Sequence, residues 1–69
     1  MLAWAWTEMR KSVTIHVIPI DNRFSWELRD NEGRLIEDSI SGGSHPLPWF
    51  LFESEAFDDA VKHARKIFE

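Results

Sequence analysis

The chain has no cysteine. That absence removes a disulfide framework, a thiolate nucleophile and any Cys-ligated zinc site. Histidine is scarce too: three, spread through the chain, argue against a His-only structural metal site. Long hydrophobic runs are missing. The apolar runs are short, six positions at residues 1–6 and four at residues 49–52, far below the roughly 20 that a membrane-crossing helix needs. No Gly-rich phosphate loop, EF-hand spacing or His-Glu-x-x-His motif is present. Positive charge is in the minority. Twelve acidic against eight basic residues give a net charge of −4, which argues against a protein that coats nucleic acid. Length is the last shortage: 69 residues make one small domain that buries only about 60% of the surface its unfolded chain exposes. Without metal or disulfide, the remaining staples are a dense aromatic core and self-association. Four Trp and five Phe supply material for both.

Residues 1–8 lack the basic start and apolar stretch of a secretory signal, so a cytoplasmic location is expected. Met9-Arg10-Lys11-Ser12 reads as a more ordinary beginning than Met1 does. Residues 1–12 are therefore expected as an N-terminal arm. It is either frayed, as a mis-called start would be, or a sticky extension. On an extended chain Trp4 and Trp6 would share one face, because Ala3 and Ala5 alternate with them.

Residues 13–69 read as a single β-β-β-(β)-α domain. In residues 13–20, Val13, Ile15 and Val17 alternate with Thr14 and His16, and Pro19 marks a strand end or edge. Asp21-Asn22 is a turn pair. Residues 23–29 place Phe24, Trp26 and Leu28 on one face and Ser25, Glu27 and Arg29 on the other, the pattern of an antiparallel sheet covered on a single side. Asp30-Asn31-Glu32-Gly33 is a loop whose glycine supplies positive φ, and residues 34–40 return as the next strand. The Gly-, Ser- and Pro-rich residues 41–48 form a loop. Residues 49–52 are either a short fourth strand or an extended segment laid over the core. Ser54 is expected to cap a helix over residues 55–68. Ala56, Phe57, Ala60, Val61, Ala64, Ile67 and Phe68 fall in one arc of roughly 140°, with Asp58, Asp59, Lys62, Arg65 and Lys66 opposite. Acids lead and bases close this helix, matching its dipole. The fold class is α+β: a three- or four-stranded antiparallel sheet with one C-terminal helix packed on its apolar face. The expected core is Val13, Ile15, Val17, Phe24, Trp26, Leu28, Leu35, Phe57, Ala60, Val61, Ala64 and Phe68.

Ile15-His16-Val17-Ile18-Pro19, Trp26 in mid-strand, Gly33 in the hairpin, and a closing helix with Phe57, Ala60 and Ala64 resemble the small bacterial YegP-like β-β-β-α domain over residues 13–68. Two features depart from that type: the long aromatic stretch of residues 42–52, and the Trp4/Trp6 arm. The resemblance implies a fold and pairing of two such units. It implies no activity.

Catalytic constellations are thin. His16 would share the sheet's outer face with Ser25, Glu27 and Arg29, where a His beside a carboxylate can act as a general base. Those are also ordinary residues for a wet sheet face. Ser44-His45 are neighbours without a third group to orient them, and His63 lies at the rim of the helix's apolar arc. Glu37-Asp38 and Asp58-Asp59 are adjacent in sequence, so on a strand or a helix their carboxylates diverge. Base stacking would need Phe24 and Trp26 turned outward, which the amphipathic helix argues against. What remains is surplus aromatic surface: Trp4, Trp6, Trp49, Phe50 and Phe52 exceed what one helix can cover. The expectation is a non-enzymatic protein-interaction module, with a homodimer or another protein as partner. No cofactor, metal or small-molecule substrate is expected. A nucleic-acid-associated accessory protein is the alternative, and a minor enzyme working around His16 and Glu27 is third.

Overall fold

The β-branched alternation after residue 12 builds the centre of a four-stranded antiparallel sheet. The computed structural model describes residues 2–8, 11–42 and 49–68, and within it the strand order is β1-β2-β3-β4. β2 (Lys11–Ile20) pairs with β3 (Arg23–Asp30) so that Ile15 lies opposite Leu28 and Val17 opposite Trp26. Val13, Ile15, Val17, Trp26 and Leu28 are all essentially fully buried. The connecting turn is Asp21-Asn22. Asp21 adopts a φ of 54°, the left-handed conformation that a tight hairpin turn needs at its first position and that Asp tolerates through its short polar side chain.

The next hairpin is held by its own side chains. Gly33 has a φ of 82° and donates its N–H to the Asp30 carbonyl at 3.0 Å. The Asp30 carboxylate accepts from the N–H groups of Glu32 and Arg34, both at 2.9 Å. Arg29 reaches across to the Gly33 carbonyl at 2.8 Å. β4 (Leu35–Asp38) then pairs with β3, but the register slips: Glu37 faces Leu28 while Leu35 faces Arg29, leaving Ile36 as an extra residue. This bulge turns Leu35 away from the helix side. Leu35, expected in the core, is therefore exposed. The strand expected to run to residue 40 stops at Asp38, because Ser39–Gly42 turns into a short helix, α1.

β1 (Leu2–Glu8) comes from the segment expected as an arm. It pairs along β2 with Trp4 opposite Ile15 and Trp6 opposite Val13. Both indoles thus sit on the helix side, and Trp6 and the residues of β2 form one apolar surface.

α2 (Glu53–Phe68) lies across that surface. It starts two residues earlier than expected. The Phe52 carbonyl accepts the N–H groups of Glu55 and Ala56, so Ser54 lies inside the first turn rather than capping it. Ala56, Ala60 and Ala64 are fully buried; at i, i+4, i+8 these small side chains let the helix backbone approach the sheet closely. Phe57, Val61, Ile67 and Phe68 flank them, partly buried. No helix among the described residues is long and apolar enough to cross a membrane.

Candidate interaction surface and buried polar cluster

The residues expected to form an aromatic interaction surface are dispersed. Phe50 is in the core, 3% exposed. It makes a two-bond bridge to Phe24, N–H to carbonyl in both directions at 2.8 and 2.7 Å. Phe50 is thus removed from the expected interaction set, since its backbone continues the sheet edge where β4 is too short to reach and its ring fills the interior. Trp6 is half-buried and lies 4.9 Å, ring centre to ring centre, from Phe68. Trp4 contacts Phe57 at 5.3 Å yet stays 52% exposed, because β1 is the last strand on its side. Trp49, Leu51 and Phe52 are exposed just before α2, and Leu35, Ile36 and Ile40 are exposed around the end of β4. Trp49 also walls an open hollow of about 550 Å³ with Ile20, Asp21, Asn22 and Arg23 at the β2–β3 turn.

The polar side chains divide into two groups. The first is buried between α2 and the sheet. Asp59 and His63, expected on the far side and at the rim of the helix, are only 7% and 6% exposed. The Trp26 indole Nε1 donates to Asp59 Oδ2 at 2.9 Å. The His63 ring packs on Trp26 with centres 5.0 Å apart, and its Nδ1 lies against Oε1 of Glu37. The main-chain N–H of Trp26 donates to Ser39 Oγ at 3.1 Å. One tryptophan is thereby tied to α1 and α2, and His63 links α2 to β4. Paired in this way, buried polar groups stabilise a unique packing. These contacts occupy groups that could otherwise serve as a base or a ligand.

The second group is on the outer face. His16 lies opposite Glu27 in the β2–β3 register. Both Glu27 oxygens, however, accept from the Arg29 guanidinium at 2.9 and 3.3 Å. That pairing, first through the hydrogen bond and then through the carboxylate's charge, raises the Arg29 pKa further. Among the described residues His16 Nδ1 is buried without a hydrogen-bond partner, and none of them places a carboxylate to orient the ring as a general base requires. Trp26 is turned to the helix and Phe24 is packed against the core; outward base stacking by that pair is excluded. Ser44 and His45 lie outside the described residues. No group of three or more His, Asp or Glu that could hold a metal occurs among the described residues.

The buried cluster gave little signal in the sequence. Asp59 and His63 are i, i+4 on the helix and flank Ala60 and Ala64, but their partners Trp26 and Glu37 are remote in sequence. No family model, curated protein or solved structure matches the chain.

Proposed function

We propose that this chain is a non-enzymatic interaction module that self-associates through its aromatic segments. The observation that carries the reading is the exposure of Trp4, Trp49 and Phe52 on a domain whose Asp59, His63 and Glu37 are already engaged in holding the fold. Large exposed aromatics concentrated in two short segments are what interfaces use and what isolated soluble domains keep few of. The pairing of units implied by the YegP-like resemblance agrees with this reading. Sedimentation equilibrium over a hundredfold concentration range tests it. The expected result is a monomer–dimer equilibrium in the micromolar range or tighter, weakened by Trp4→Ser. A monomer at every concentration contradicts the reading.

A further inference from the structure

We propose that two copies pair β1 to β1, antiparallel, about a two-fold axis at Ala5, so that their sheets run on as one. This rests on the self-association reading above and names the surface and partner for it.

The two sides of the sheet differ in how they treat the unpaired backbone of a terminal strand. Edge strands are usually blunted by shortness, bulges, charge, proline or a covering loop. β4 has several of these devices: four residues, a register slip, two acids, and α1 following at once. Beyond its end, Phe50 bridges to Phe24 on the same flank of β3. Among the described residues, β1 has none of them between residues 2 and 7. It runs for seven residues, Leu-Ala-Trp-Ala-Trp-Thr-Glu, without a proline or a charge before Glu8, and pairs with β2 without interruption.

The β1 sequence is also complementary to itself when reversed. An antiparallel pairing about Ala5 sets Ala5 opposite Ala5 of the second copy, Trp4 opposite Trp6, Ala3 opposite Thr7 and Leu2 opposite Glu8. Indole meets indole on the helix side, and Ala5 meets its own copy on the outer side. Cross-strand aromatic neighbours are favourable pairs on one face of an antiparallel ladder, and Trp4 is the indole that its own domain leaves half exposed. An isologous contact of this kind closes after two copies and does not propagate.

The absence of native cysteine makes the register directly testable in the full chain. Directly opposite residues in an antiparallel pair have Cα atoms about 4.5 or 5.5 Å apart, inside the range a disulfide spans. Ala5 is exposed, so Ala5→Cys should cross-link through its own symmetry mate under mild oxidation. Thr7→Cys should not, since the two copies of residue 7 would lie about 13 Å apart along the strands. Phe52→Cys reports on the other aromatic segment. The expected result is that Ala5→Cys forms a covalent dimer at least tenfold faster than either control. As a second variant, Ala5→Lys should raise the dimer dissociation constant at least tenfold without lowering the monomer's melting temperature. If the unmodified chain dimerises but Thr7→Cys or Phe52→Cys cross-links faster, the β1 pairing is wrong while self-association stands. If the unmodified chain is monomeric throughout, both are wrong.

Discussion

β4 ends its side of the sheet in four residues, beside a helix tied down by a buried polar cluster; β1 ends the other side in seven residues, with small residues alternating with two tryptophans over residues 3–7. On the β4 flank, contact with α2 is specified by direction. Trp26 Nε1 must reach Asp59, and His63 must reach Glu37. On the β1 flank the contact includes two ring pairs, Trp4 against Phe57 and Trp6 against Phe68. A hydrogen bond buried beside a helix penalises every alternative register, because moving it orphans a donor. Tilted ring contacts such as these tolerate sliding and leave apolar area at the rim. One flank thus specifies the fold by direction, and the other is where the proposed β1 pairing would add.

The largest effect should come from the directional flank. Trp26→Ala removes a fully buried indole and is expected to cost about 3–5 kcal/mol, enough to unfold a domain of this size at room temperature. Denaturant titration followed by far-ultraviolet circular dichroism checks this, and near-normal stability would show that the two flanks do not share a core. Asp59→Ala should cost roughly 1–3 kcal/mol, the price of leaving the buried Trp26 N–H unsatisfied. In a Trp26→Phe background, where that N–H is gone, the Asp59 substitution should cost much less, and a double-mutant cycle measures the difference. Equal costs in both backgrounds would mean that Asp59 does not act through the Trp26 N–H.

Trp6→Ala should be milder, about 1–2 kcal/mol, since the indole is only half-buried and its ring contact with Phe68 lies at the side of the core. A loss as large as that of Trp26→Ala would erase the contrast between the flanks. The smallest effect belongs to the β3–β4 turn. The Arg34 main-chain N–H holds the Asp30 carboxyl below its ordinary range; desolvation opposes this, and the Glu32 N–H and the charge of Arg34 add to it. A carboxyl depressed in the folded state stabilises above its unfolded pKa of about 4, and that contribution fades as pH falls through the folded value. Wild type should therefore lose a little more stability than Asp30→Asn on going from neutral pH to below about pH 4. Parallel acid curves for the two proteins would remove Asp30 from the account.

Much of this architecture was legible in residue order. Val13, Ile15 and Val17 against Phe24, Trp26 and Leu28 form a period-two pattern broken by one turn pair, and the β2–β3 hairpin follows from it. Gly33 announced the next turn by its need for positive φ. The strand pairing of residues 2–8 was not legible, because Glu8-Met9-Arg10-Lys11 contains none of the Gly, Asn, Asp or Pro that usually signal a reversal, although the shared face of Trp4 and Trp6 was. Leu35 misled because a bulge leaves no mark in a short, mixed strand. Asp59 and His63 misled for a different reason: a helical wheel sorted by polarity places every charged residue outside, whereas the indole N–H of Trp26 requires an acceptor inside. Within the aromatic run, the inward turn of Phe50 depends on its bridge to Phe24, a pairing set by the fold of the whole chain.

Amide hydrogen exchange of the full chain at two concentrations a hundredfold apart tests the contrast between the edges most directly. The account predicts that β1 amides gain protection as concentration rises, while those of β4 and α1 exchange at unchanged rates. Protection gained in β4 and α1 instead, or β1 rates independent of concentration, would contradict it.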